Sequence, residues 1–365
     1  MSLRIEPRRE PSRAMVWLTP ILAVALTIAS GWLLFLVLGL DPAETLYQFL
    51  VAPIETFYGW TELGVKAAPL ILIATGLAIG FRANVWNIGA EGQLIMGAVA
   101  AGAVALGFWG EEGWWILPAM CVAGALGGLA YAAIPAFLKT RFDVSEILTS
   151  LMLTYVASLA LSILVFGPWK DPDGFNFPQT RMFTDAALLP VLIEGTRLHL
   201  GALVALLAAI GAWFLVGRTV VGFQIQVVGQ APAAARFAGF SGKRVVWFCL
   251  LLSGALAGLA GTFEAAGPIG QLIPQLTPGY GFTAIIVAFL GRLHPLGIVA
   301  AGLVMALSYI GGENAQVSAG LPQAATGVFQ GMLLFYLLAA DVLVRYRLRW
   351  TSAQAAPAPK PATVP

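Results

Sequence analysis

Four polar side chains stand at the head of an otherwise apolar stretch: Asn84, Asn87, Glu91 and Gln93, within Phe81-Arg-Ala-Asn-Val-Trp-Asn-Ile-Gly-Ala-Glu-Gly-Gln93. Polar groups at membrane depth must pair or border water, because hydrocarbon offers no hydrogen bonds. These four therefore either line a hydrated pathway or close a satisfied cluster at the membrane face, and the sequence leaves both open. Gly89 and Gly92 permit unwound backbone or close helix contact between them. A second segment, Val228-Gly-Gln-Ala-Pro-Ala-Ala-Ala-Arg-Phe-Ala-Gly-Phe240, reads as a short bounded helix. Pro232 suits the first helical position, where an N–H has no partner anyway. Ala233 to Arg236 favour helix, and Gly239 can close it in the left-handed conformation. A rigid knob of this kind suits a groove in a partner; the alternative is an incidental surface helix.

Other chemistry is missing from the chain. Gly242-Lys243 resembles the end of a phosphate-binding loop, but Arg244 follows and Phe237 stands where the leading glycine belongs. The chain thus has no nucleotide cradle of its own, and no catalytic residue is assigned. His199 and His294 stand alone, and Cys121 and Cys249 fall inside apolar runs, so neither a metal site nor a disulfide framework is expected. Lys66, Glu146, Glu264 and Asp341 are further ionisable residues near apolar stretches. Glu264 and Asp341 read as interfacial residues near helix ends.

The elements that must position these residues follow from composition. The 365 residues are 59% hydrophobic and 10% charged, where a soluble domain carries about 25% charged residues. The chain therefore reads as an all-α, polytopic membrane protein. Apolar runs long enough to cross a bilayer lie near 15–39, 63–81, 85–108, 114–138, 146–167, 198–217, 245–266, 278–291, 295–311 and 321–343. Of these about ten spans, 85–108 is polar at its start and can be broken or re-entrant, and 278–291 is too short to span upright. All of the 20 Lys and Arg except Lys66, Lys170, Arg181 and Arg197 fall in segments that such a count places on one side. The positive-inside rule makes that side the cytoplasm, with both termini on it. Residues 1–14 then form a cytoplasmic segment, 15–345 the transmembrane domain, 168–197 an external loop and 218–244 a cytoplasmic loop. Residues 346–365 read as a disordered cytoplasmic tail, Ala/Pro-rich from 351. The net charge of +2 implies no nucleic-acid partner. Gly-Ala-Leu-Gly-Gly-Leu-Ala at 124–130 echoes Gly-Ala-Leu-Ala-Gly-Leu-Ala at 254–260, by chance or by duplication. Both carry the small-xxx-small spacing that lets helices approach closely in lipid.

The chain resembles the permease subunits of the branched-chain amino acid/ribose importer superfamily of ABC transporters, most nearly the simple-sugar and nucleoside branch. Residues 81–93 match that branch's signature almost letter for letter. Residues 144–155, Val-Ser-Glu-Ile-Leu-Thr-Ser-Leu-Met-Leu-Thr-Tyr, match a second stretch, with Ser145 and Thr154 where Asn is usual. Residues 228–240 match a third, with Ala231 in place of Asn and Phe237 in place of Tyr. Alanine is a poor N-cap, so the helix start should be weaker than in relatives.

The resemblance implies a multi-pass protein of the bacterial inner membrane, embedded in lipid and paired with a second permease, a paralogue or a copy of itself. It implies a cytoplasmic ATPase subunit that binds ATP and Mg, an external substrate-binding lipoprotein, and no cofactor on this chain. It places a coupling helix on Pro232, Ala234, Ala235, Arg236, Ala238 and Gly239, and makes the cargo a nucleoside or related simple sugar. The alternative is a secondary transporter driven by an ion gradient, which needs an essential intramembrane acid such as Glu91 or Glu264.

Overall fold

A computed structural model describes residues 2–7 and 13–351. The basic pair Arg8 and Arg9 and the Ala/Pro-rich end beyond Thr351 lie outside the described residues. Thirteen helices follow in order: α1 (Arg13–Val37), α2 (Pro42–Leu50), α3 (Phe57–Arg82), α4 (Ala90–Gly107), α5 (Ile116–Phe142), α6 (Glu146–Phe166), α7 (Leu200–Arg218), α8 (Val220–Gln230), α9 (Pro232–Phe237), α10 (Gly242–Glu264), α11 (Tyr280–Leu290), α12 (Pro295–Ala319) and α13 (Gln323–Arg345). Among the described residues nine are long and apolar enough to cross a membrane. The tenth expected span is α11, whose 11 residues reach about 16 Å, roughly half of a hydrocarbon core. The chain is thus an all-α, multi-pass membrane protein.

Three local features depart from simple spans. Residues 85–88 belong to no helix, so the stretch expected at 85–108 is broken at its polar start and becomes helical only from Ala90. A π-helical turn, Ala265–Ile269, continues α10 past Glu264. The loop expected at 218–244 holds two helices, α8 and α9, and α2 lies where no helix was expected.

The chain divides into two units. One comprises residues 1–42 and 327–365. Within it Ser30 and Tyr336 share a hydrogen bond of 2.6 Å, and Gly31 leaves room for the Phe329 ring. Residues 346–351, expected to be disordered, instead form β2 (Tyr346–Thr351), antiparallel to β1 (Ser2–Pro7), with Leu3 opposite Trp350 and Ile5 opposite Leu348. The alternation of apolar and basic residues in Tyr-Arg-Leu-Arg-Trp is a strand pattern that an Ala/Pro count overlooks.

The other unit, residues 43–326, contains the candidate site. Its central helix is α3, which starts where the Thr56 hydroxyl accepts the Gly59 N–H at 3.0 Å and is buried along most of its length. The two echoing glycine segments pack on each other, antiparallel, in α5 and α10. A Cβ on Gly258 would stand 2.2 Å from the Gly124 carbonyl oxygen, and one on Gly128 2.2 Å from that of Gly254. Gly97 of α4 joins the same node, 2.2 Å from Gly258 by the same measure. Hydrocarbon supplies no hydrophobic drive between helices, so close backbone contact at small residues takes its place. Residues 180–189 fold over the far end of α10: the Phe183 N–H donates to Gly270 O at 2.8 Å and the Leu189 N–H to Ala266 O at 2.9 Å.

Candidate functional site

The knob at α9 is built as its sequence dictates. Its start has no side-chain cap, since Ala231 offers no acceptor. Its end is closed by a pair of bonds: the Gly239 N–H donates to Arg236 O at 3.0 Å and the Phe240 N–H to Ala235 O at 2.9 Å, with Gly239 at φ 78°. The Phe240 ring meets Phe223 of α8 edge-on at 6.1 Å. Pro232, Ala234, Arg236, Ala238 and Gly239 face outward, whereas Ala235 is 2% exposed and seats the helix on its own chain. Phe237 is 95% exposed. A bulky ring on a helix of alanines is the signal in the sequence that marks it.

α8 ties this knob to the membrane helices. The Thr219 hydroxyl accepts the Gly222 N–H at 3.1 Å at its start. Ile225 enters an apolar cluster with Ile79, Val216, Val245 and Leu250. At its end Gly229 lies on the backbone of Arg82 and Ala83, where α3 finishes.

From that point the chain turns back along α3. Asn84, at φ 57°, is exposed, and its side-chain oxygen accepts the Trp86 indole N–H at 3.0 Å. Asn87 is buried with its hydrogen-bonding capacity filled. Its amide donates to Gln93 Oε1 at 2.7 Å and to Ser253 Oγ at 2.9 Å. Its oxygen accepts from Gln93 Nε2 at 3.0 Å and from the Gly89 N–H at 3.2 Å. Of the two readings of these amides, the closed cluster is the one this geometry displays. Ser253 is a partner the sequence hid, as one serine in an apolar helix.

Glu91 does something different. Its side-chain Oε2 accepts the Gly281 N–H at 2.5 Å. It thus supplies a side-chain cap, from another helix, to the N-terminus of α11. Gly281 is needed there, since a Cβ would stand 2.2 Å from the Glu91 nitrogen. The other end of α11 is held by the same segment. Arg82 donates through Nη2 to Leu293 O at 2.8 Å, and Phe81, Trp86 and Phe289 stack at centroid distances of 4.9–5.9 Å. The second matched stretch backs this arrangement: Ser150 Oγ accepts the Ile88 N–H at 3.2 Å, and Gly92 abuts Thr154. Glu146 pairs with Lys139. The three matched stretches are therefore contiguous in space.

A polar cluster higher along α3 was not foreseen as a unit. Lys66 Nζ meets Glu313 Oε1 of α12 at 3.0 Å, with the Glu313 side chain 56% exposed. Arg197 forms a two-pronged pair with Glu62, whose hydrogen bonds hold the guanidinium further above its ordinary range. His199 accepts the Gly201 N–H at 3.1 Å. Glu264 is 7% exposed, and the π-helical turn Ala265–Ile269 carries the backbone beyond it. An ion pair exposed on spanning helices is costly against lipid. The Lys66–Glu313 flank therefore faces water or another chain. The side chain of Asp341 lies outside the described residues.

Helices of this number and length, interrupted by a half-length helix and carrying a loop-borne knob, define a polytopic membrane permease. Residues 60–338 match the family described as branched-chain amino acid transport system / permease component, and the chain belongs to that family. It is similar to the glucose ABC transporter permease protein TsgB13 of Haloferax volcanii, at 37% identity over 95% of this chain and 94% of the relative. The guanosine ABC transporter permease protein NupP of Bacillus subtilis is 31% identical over 90% of this chain and 94% of its own length. The nucleoside ABC transporter permease protein NupB of Lactococcus lactis is 25% identical over 88% and 90%. The chain is a transport component of the ABC type.

Proposed function

We propose that this chain, with a second permease subunit, forms the translocation pathway of an importer for a nucleoside or related simple sugar. An ATPase subunit that binds ATP and Mg docks on α9, and an external binding lipoprotein delivers the cargo. The observation that carries the cargo class is the likeness to glucose, guanosine and nucleoside permeases over nearly the whole chain. A zwitterionic amino acid would bring two charges to desolvate, each costing several kcal/mol unless paired. The test is gene deletion with uptake of labelled uridine, adenosine, glucose, ribose and leucine. Loss of nucleoside or sugar uptake, restored by the plasmid-borne gene and dependent on ATP, is expected. Loss of leucine uptake alone would refute the cargo class.

A further inference from the structure

The two ends of the described chain meet in one small ribbon. β1 and β2 pair antiparallel, with Arg4 opposite Arg349 and Glu6 opposite Arg347. Between and beside these pairs Leu3 stands opposite Trp350, Ile5 opposite Leu348 and Pro7 opposite Tyr346. Opposed residues share a face of a sheet and successive ones alternate. One face therefore carries Arg4, Arg347 and Arg349 with Glu6, and the other carries apolar and aromatic positions. Like charges directly opposite, as Arg4 and Arg349 are, destabilise a sheet, and an anion between them removes the repulsion. A two-stranded sheet is also marginal alone in water and needs a surface for its apolar face. The place of the ribbon in the chain supplies that surface. The apolar spans of α1 and α13 are Leu18–Val37 and Gln323–Ala340, and β1 precedes the first while β2 follows the second. About 9 Å of helix carries the chain from Ala340 to β2, which sets the ribbon against the headgroup layer.

We infer that this ribbon is a binding site for anionic phospholipid, in the leaflet at which α1 begins and α13 finishes. Its apolar face enters the boundary between headgroups and acyl chains, where Trp and Tyr are favoured. The arginine positions are then at the level of the phosphates, and a basic cluster beside a spanning helix attracts anionic lipid. The positive-inside bias accounts for basic residues at each end of the chain, but not for their assembly on one face of a sheet whose other face is apolar. The test uses the full chain without Cys121 and Cys249, carrying Leu3→Cys labelled with an environment-sensitive dye. It is placed in vesicles of phosphatidylcholine alone or with added phosphatidylglycerol. The emission should shift to the blue with phosphatidylglycerol and return as salt is raised from about 0.05 to about 0.5 M, which shortens the reach of the attraction. Arg4→Gln, Arg347→Gln and Arg349→Gln together should leave the emission as it is in phosphatidylcholine alone. The same three changed to Lys should keep the shift. Equal emission in the two kinds of vesicle overturns the site. So does loss of the shift in the Lys variant, which marks a need for arginine in the fold and not for charge. A shift produced in phosphatidylcholine by inorganic phosphate marks a soluble anion, and one produced only by the ATPase subunit marks a protein partner; either outcome also overturns it.

Discussion

At the scale of single residues, Phe237 and Ala235 are neighbours with opposite duties. One ring projects into solvent from a helix whose C-terminal end is locked; the methyl two residues earlier is enclosed by its own chain. Aromatic anchors in a pocket dominate interface energies, and truncating one costs about 2 kcal/mol or more. Phe237→Ala should therefore weaken association with the ATPase subunit at least about thirty-fold, leaving membrane insertion intact. Co-purification at graded ATPase concentration measures this, and unchanged capture would remove Phe237 from the interface. Ala235→Trp should instead destabilise the permease itself by about 1–3 kcal/mol through overpacking, visible as a lower melting temperature with no ATPase present. The same division between outward and inward duty runs through the signature at 81–93. There Asn84 is at the surface, while Asn87, Glu91 and Gln93 are consumed in bonds within the chain.

At the scale of elements, the glycine node of α4, α5 and α10 makes the sharpest demand. Gly258→Leu must push apart backbones that already touch, and even Gly258→Ala meets a carbonyl oxygen at 2.2 Å. Both should lower the melting temperature in detergent. Gly211→Ala in α7, with nothing within 4 Å of the new methyl, should hold or raise it, since alanine favours helix by roughly 0.5–1 kcal/mol. Equal melting temperatures for Gly258→Ala and Gly211→Ala would refute the node. Much of the element plan was legible in the sequence, because apolar runs and basic loops are properties of composition. The echo at 124–130 and 254–260 was visible, but not that its two halves pack on each other. Hidden too were the partners that only folding brings near: Ser253 for Asn87, Gly281 for Glu91, Glu313 for Lys66. Glu264 reads from the sequence as a residue near a helix end; hidden there was the π turn Ala265–Ile269, which keeps the backbone helical past it.

At the scale of the whole molecule, the distribution of Lys and Arg predicts the orientation, with both termini cytoplasmic. A single cysteine at position 176, in a background without Cys121 and Cys249, should react with an impermeant reagent added outside intact cells. A reporter fused after Arg349 should be active only as a cytoplasmic enzyme. External labelling near residue 349 would reverse or break the ten-segment path. One contact then acquires a mechanical meaning. Gly229 sets the backbone of α8 directly on that of Arg82, where a Cβ would stand 2.0 Å from the carbonyl oxygen. Side chains hop between rotamers and so cushion a load, whereas main chain against main chain has no such slack. The joint behaves as a bearing without play. A displacement imposed on α9 would pass through this joint to residues 82–91, which hold α11 at both its ends.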